Sequence, residues 1–410
     1  MPLLMRLIEL WEHRPTEHEL APGEVEAVRT AIPGIRIDPV GPGRWCLRPQ
    51  STVGVAVAGD LQVVVHPKMP IERLLFLLSY AARPDLFKPD GVVLPDAPTI
   101  VEAMAEALAG QMERALARGL RQGYRRREDR LMVLRGRVRF GEQLHRHWRI
   151  APPLEVTYDE FTVDTDLNRV LLAALVELRH LPLRSRRLAS RLRQIEARFA
   201  RVAETHFTTA TLPTLSFDRL NRHWEVPAEL AKLIIRGSSI EGGVGTSRGP
   251  AFLLNMNKVF EDFVVVALRE AFGLRESEFP QGGRHHTLWL DEATRVALKP
   301  DFTWWSGGAP VLVGDAKYIR VNAEGVLHPN LYQVLAYTVA TGLSVGWLVY
   351  AAGTDAADDP ADHEIVELGK RLIVRVLDVS GSPAVVLRRV DELAAAMRAQ
   401  PGSGRERELV

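Results

Sequence analysis

Residues 295–318 read RVALKPDFTWWSGGAPVLVGDAKY. RVALKPDFTWW and PVLVGDAKYI read as strands. Ser306-Gly307-Gly308-Ala309 between them has the composition of a hairpin turn. Asp301 stands at the strand end of VALKPDF, and Asp315 and Lys317 follow the apolar run PVLVG two residues apart. Residues i and i+2 of a strand share a face, so Asp315 and Lys317 project together. A hairpin partner can bring Asp301 beside them. Two converging carboxylates make an oxygen site suited to Mg²⁺. A metal there would polarise a phosphate oxygen and lower the pKa of a bound water. Lys317 would position that water or stabilise charge in the transition state. The plainer alternative is a turn aspartate beside an ordinary exposed Asp–Lys pair.

The flanking elements favour the site. Upstream, FLLNMNKVFEDFVVVALREAF (252–272) reads as a helix, and Glu261 sits within its apolar run beside Phe260, Phe263 and Val264. An acid placed there needs a reason, with Asp262 as the alternative carboxylate. Downstream, NLYQVLAYTVATG (330–342) reads as a helix whose Gln333 and Tyr337, four apart, share one face. SVGWLVYAAG and RLIVRVLDV read as strands, and PAVVLRRVDELAAAMRA as a last helix. Three flanking groups carry less. His285 and His286 stand at a strand entrance, where they touch DNA or are incidental. Of Trp304 and Trp305, one is expected to face inward and the other outward. Tyr318 either approaches phosphates or packs.

The chain upstream divides in two. Residues 1–95 form a strand-rich block with runs around Cys46, STVGVAVAG and LQVVVHPKM, followed by a helix at IERLLFLLSYA and the connector PDLFKPDGVVLPDAP. Leu3, Leu4, Leu7 and Trp11 read as a core helix, with a partner interface as the alternative. Residues 96–245 form a mainly helical, arginine-rich region. IVEAMAEALAGQMERALARGLRQGY (100–124) reads as helix and LMVLRGRVRFGEQL (131–144) as a strand pair. Asp164 or Thr165 caps a helix running to about His180, a further helix covers 185–203, and one begins near Pro227. GSSIEGGVGTSRGP lacks the Lys-Ser/Thr of a phosphate loop and reads as a linker. Residues 246–398 form the last domain and 399–410 a frayed tail.

Composition sets bounds. The chain has 410 residues, 46% hydrophobic and 25% charged, which is globular range. One cysteine, Cys46, excludes an internal disulfide and suits a reducing cytoplasm. No uninterrupted apolar stretch approaches the length of a membrane-spanning helix, and no signal peptide is apparent, so a cytoplasmic protein is expected. Net charge is only +1. Residues 113–149 nevertheless hold twelve arginines against four acids, and a second set includes Arg186, Arg187 and Arg191. Such density suits phosphate neutralisation. The alternative is a solvated face in a chain with forty-five arginines and seven lysines.

The acids, the lysine, Gln333 and Tyr337 together resemble the PD-(D/E)xK nuclease superfamily. That resemblance assigns Asp301, Asp315 and Lys317 as its core and Glu261 as the helix glutamate that completes a metal site. Gln333 and Tyr337 match the glutamine and tyrosine of its RecB-like branch. VVVHPKMPIERLLFLLSYA (63–81), LRGRVRF (134–140), YDEFTVDTDLNRVLLAAL (158–175) and LLNMNKVFEDFV (253–264) extend the likeness to the McrC family of McrBC-type restriction systems. The resemblance implies an α/β (α+β overall) chain whose C-terminal domain has a mixed central sheet flanked by helices. It also implies a Mg²⁺-dependent (or Mn²⁺-dependent) endonuclease subunit for double-stranded, modified DNA. Its partner would be a McrB-like AAA+ NTPase ring, engaged and stimulated through the N-terminal domain, with GTP or another NTP bound only by that partner. Two alternatives stay open: a RecB-like exonuclease, and a noncatalytic motor-activating adaptor.

Overall fold

A computed structural model of the chain describes residues 5–87, 97–148, 150–238, 249–282, 287–318, 328–352 and 362–400. Its N-terminal elements are β1 (Arg6–Trp11), β2 (Thr16–Glu19), α1 (Pro22–Ala31), β3 (Arg36–Gly41), β4 (Arg44–Arg48), β5 (Thr52–Ala58), β6 (Leu61–His66) and α2 (Ile71–Ala82). Strands β2, β4 and β3 form one antiparallel sheet, and a second sheet has the order β1-β6-β5-β10, with β10 at Ala251–Asn255. The helix expected from Leu7 and Trp11 is instead strand β1. Ile8 and Leu10 are buried while Leu7 and Trp11 are exposed, an alternation of period two. Leu3 and Leu4 lie outside the described residues.

The middle elements are α3 (Ile100–Leu116), β7 (Gly123–Leu131), β8 (Arg137–Val138), α4 (Phe140–His147), β9 (Leu154–Thr162), α5 (Asp166–His180), α6 (Arg186–Ala197) and α7 (Glu225–Ser238). Thr99 caps α3 by accepting the Glu102 N–H at 3.2 Å. The helix expected to run through Tyr124 stops at Leu116, and Gly119 follows in the left-handed region at φ 80°. GYRRREDRL is then a strand, paired with β9 over nine residues. Its stability comes from that ladder and from cross-strand pairs such as Arg127–Glu160 at 2.6 Å. Of the strand pair expected over 131–144, Leu131 ends β7 and Arg137–Val138 is strand, whereas FGEQLHRH is helix.

Thr165 caps α5 by accepting the Asn168 N–H at 3.3 Å. Asp164 does other work. It accepts bonds from Arg169 Nε at 2.7 Å, Arg125 Nη1 at 2.8 Å and the Ala203 N–H at 3.0 Å. Asn168, fully buried, donates to the Arg121 and Val163 carbonyls at 2.8 and 2.6 Å. The VDTDLNR stretch is therefore a clasp that ties α5 to β7 and to the chain beyond α6.

The C-terminal elements are α8 (Met256–Phe272), β11 (Leu288–Trp289), β12 (Ala297–Leu298), β13 (Phe302–Ser306), β14 (Ala309–Lys317), α9 (His328–Thr341), β15 (Val345–Ala351), β16 (Asp362–Ile365), β17 (Lys370–Leu377) and α10 (Pro383–Arg398). The helix expected from Phe252 begins four residues later. Phe252–Asn255 belongs to β10, and the Asn255 side chain caps α8 by accepting the Asn257 N–H at 3.0 Å. A five-stranded sheet has the order β13-β14-β15-β17-β16, antiparallel at both edges and parallel between. Helix α9 covers one face through Val334, packed on Leu348, Tyr350, Leu372 and Val374. Helix α8 packs on β14 and α10 on β17 and α8. The expected mixed α/β class is the one the chain adopts.

Two compact units result, each from non-contiguous stretches. One holds Met1–Arg6, Val55–Gln62 and Ala97–Phe252; the other holds Leu7–Gly54, Val63–Asp96 and Leu253–Val410. Most of the expected connector (84–98), most of the glycine-rich linker and residues 401–410 of the tail lie outside the described residues.

Candidate active site

The β13–β14 hairpin turns at Gly307 and Gly308, both left-handed at φ 59° and 82°, as a two-residue turn between twisted strands requires. Its register opposes Phe302 to Gly314, which carries Asp301 to the Asp315–Ala316 end of β14. There Asp301 Oδ2 accepts the Ala316 N–H at 2.9 Å. Gly314 is required by close approach: a Cβ would meet the Phe302 ring at 2.3 Å and the Trp347 carbonyl at 2.7 Å. The site thus rests on a strand pair too tight for any larger residue before Asp315.

Asp315 is completely buried. Lys317 touches its Oδ2 and lies 3.7 Å from Asp301 Oδ2, so one ammonium bridges both acids. Asp315 Oδ1 is buried with no hydrogen-bond partner. Burial, then the Asp301 charge, pushes the Asp315 carboxyl well above its ordinary range. Burial alone would lower the Lys317 pKa, but the carboxylates of Asp315 and Asp301 outweigh it and hold the ammonium charged.

Glu261, on α8, is pushed up to about 7 by burial and then by Asp301. Asp262 beside it has Lys258 Nζ 2.6 Å away and accepts from Gln281, and the same ammonium lies 3.8 Å from Glu261. Glu261 lies in the field of both Asp301 and Lys317. Among the described residues, no three His, Cys, Asp or Glu side chains already surround a common point. The donor set nevertheless suits a hard divalent cation. All three groups are carboxylates, they repel one another, and one buried oxygen is unpartnered.

Gln333 Nε2 donates to the Tyr337 hydroxyl at 2.7 Å, which donates in turn to the Lys299 carbonyl at 3.2 Å. Tyr337 is buried, and burial followed by the Asp315 charge raises its pKa above the ordinary value. It is therefore a neutral donor that braces the turn entering Asp301. Trp304 and Trp305 are both half-buried, because a register shift between them breaks the expected alternation. Tyr318 is buried, with its hydroxyl on Glu12. His285 and His286 lie outside the described residues.

The arginines of α6 separate. Arg186 and Arg187 are exposed. Arg191 is bridged to Glu113 and Glu106, each at 2.6 Å, so its charge is spent within the fold. One surface carries no sequence signal of its own. Tyr124, Val133, Leu134, Phe140, Trp148 and Phe161 are all exposed on or beside the β7-β9-β8 sheet, with Trp148 at 90%. Tyr124 and Phe161 pair across facing strands with ring centroids 5.2 Å apart, while Val133, Leu134, Phe140 and Trp148 follow the far end of β7.

The mixed sheet thus carries a buried carboxylate–lysine cluster at the open end of its edge hairpin. A family model described as "McrBC 5-methylcytosine restriction system component" matches residues 47–351, and the chain belongs to that family. It is similar in structure to a chain of the half-complex of Thermococcus gammatolerans McrB AAA+ hexamers with bound McrC. That match has 18% identity and a TM-score of 0.55, covering 94% of this chain and 100% of the other. A chain of the T. gammatolerans McrBC complex matches at 18% identity and a TM-score of 0.41, covering 65% of this chain and 88% of that one. No curated protein matches. Among the described residues no helix is long and apolar enough to cross a membrane.

Proposed function

We propose that the chain is the McrC-like DNA-cutting subunit of a restriction (anti-phage) system, hydrolysing phosphodiester bonds at Asp301, Asp315 and Lys317. The observation that carries this reading is the pair of acids bridged by one lysine ammonium at the end of a buried strand. Such a constellation costs stability, since a buried carboxylate with an unpartnered oxygen needs compensation. A structural role would be met by an apolar residue at lower cost.

Asp301, Asp315 and Glu261 would hold Mg²⁺ or Mn²⁺. When bound, the ion supplies Lewis-acid polarisation of the scissile phosphate and a more acidic water. Lys317, held cationic by its two carboxylates, orients the attacking water or meets the charge that develops on phosphate oxygens. Gln333 and Tyr337 position the Asp301 turn. Arg186 and Arg187 contact the DNA backbone.

Family membership and the McrB–McrC context of the structural relative support a separate McrB-like AAA+ NTPase ring as partner, which binds the nucleotide. The described part of residues 1–95 exposes few large apolar side chains, chiefly Leu7, Trp11 and Val40. We assign the contact with the ring to that first block and, in addition, to the exposed apolar side chains around the β7-β9-β8 sheet.

The test is reconstitution of the chain with its ring, modified double-stranded DNA, Mg²⁺ and nucleotide. Asp315→Asn and Lys317→Ala are each expected to abolish cutting while the assembly still forms. Undiminished cutting by both variants would refute the site. Mg²⁺-dependent DNA degradation by the lone chain, indifferent to the ring, would make it a free-standing nuclease instead.

A further inference from the structure

One buried acid in the unit that contains the β13–β14 hairpin has no part in the chemistry above. The Glu12 side chain, directly after β1, has no exposed surface. A carboxylate is placed there only against a desolvation cost, so its partners are informative. Its Oε2 accepts the Lys68 N–H at 3.2 Å and the Tyr318 O–H at 3.3 Å. Its Oε1 lies 3.6 Å from His13 Nε2. The Lys68 ammonium stands 3.9 Å from the centre of the Tyr318 ring. The backbone holds Glu12 in place. Its N–H donates to the His66 carbonyl at 2.9 Å, and His13 sits in the left-handed region at φ 59°. A non-glycine residue persists there when its surroundings enforce it.

Tyr318 adjoins both halves of the candidate site. It follows Lys317 in the chain, and its ring lies 6.0 Å from that of Phe260, which precedes Glu261. Both rings are fully buried, in an interior where displacements are transmitted rather than absorbed. Wherever Glu12 and Lys68 set this tyrosine, Lys317 on β14 and Glu261 on α8 are set with it. We propose that Tyr318, anchored by Glu12 and Lys68, is a positioning residue that fixes Lys317 and Glu261 relative to each other for phosphodiester hydrolysis. Neither sequence pattern nor metal chemistry assigns it that role. The proposal rests on the cutting reading above.

The test uses the full chain with its ring, DNA, Mg²⁺ and nucleotide. Tyr318→Phe keeps the ring over Lys68 and against Phe260 and removes only the bond to Glu12. It is expected to lower kcat on the order of tenfold with KM unchanged, as a small misplacement of reacting groups does. Glu12→Ala should give a similar loss, Glu12→Gln should recover most of it, and the double variant Glu12→Ala/Tyr318→Phe should be no worse than the poorer single. Wild-type kcat in Tyr318→Phe and Glu12→Ala, losses that multiply in the double variant, or losses that follow melting temperature or ring assembly would each overturn the proposal. If the wild-type assembly itself does not cut, the functional reading fails and takes this inference with it. Cutting by wild type with variants that match it removes the inference alone.

Discussion

The Tyr337 hydroxyl donates to the Lys299 carbonyl at 3.2 Å, joining α9 to the turn that delivers Asp301. The bond spans 38 residues and fixes a backbone group two positions from the first acid. Tyr337→Phe is expected to leave the Lys299 carbonyl without this donor and to cost about 1 kcal/mol of stability. It should also lower kcat by about tenfold through loss of position. Because the Tyr337 pKa is raised, its hydroxyl stays protonated, and the pH–rate profile should carry no alkaline limb that Tyr337→Phe removes. Cleavage kinetics across pH check this.

Acid stability is expected to depend on Asp164. Its hydrogen bonds to Arg169 hold the carboxyl down at about 2, below its ordinary 3.8. A depressed folded-state pKa gives stability that is fully present above the ordinary value and is lost as pH falls through the folded one. Between pH 4 and 2 the chain should therefore lose about 2 kcal/mol that Asp164→Asn lacks at every pH. Chemical denaturation across that window measures it; identical slopes for both proteins would contradict the clasp.

Arg186 and Arg191 stand on one helix with opposite tasks. Reversing charge at Arg186 and Arg187 should weaken DNA binding and flatten its dependence on salt. Arg191→Ala should leave that dependence unchanged and instead cost about 1 kcal/mol, because it frees Glu106 and Glu113 on α3. Binding titrations at several salt concentrations, beside thermal melts, separate the two.

The exposed apolar surface gives a different outcome. Leu134→Asp with Trp148→Ala should reduce stimulation of the ring's NTP hydrolysis at least tenfold, as loss of an interface anchor does. The melting of the lone chain should move by no more than about 0.5 kcal/mol, since both side chains are in solvent. Full stimulation by the double variant would put the contact elsewhere.

The acid–lysine hairpin was legible because its information is local. Two glycines mark the turn, and a two-residue spacing marks the face. Helices α2, α5 and α9 were legible by their apolar period. β7 was not, because GYRRREDRL is a strand with scarcely any buried side chain and its pairing with β9 is the only signal it has. β1 is disguised in the sequence because apolar residues at 3, 4, 7 and 11 imitate a helical stripe, whereas Ile8 and Leu10 make the core contact. Arg191 looked like its neighbours on α6, and only α3, some eighty residues earlier, shows that its charge is already matched. Glu12 carried no pattern at all, since nothing local reveals that a carboxylate after Trp11 is buried against Tyr318.

Asp301, Asp315 and Lys317 all lie within one hairpin closed by two glycines. Hairpins close within about 1–10 μs, well before most long-range packing is complete. The two like charges are therefore brought together by local pairing alone, whatever distant groups are in place. The cation that offsets them sits on the same strand, two residues past Asp315. The acid pair therefore carries its own counter-charge on the strand that presents it, and the register that sets the carboxylates side by side sets their cation with them.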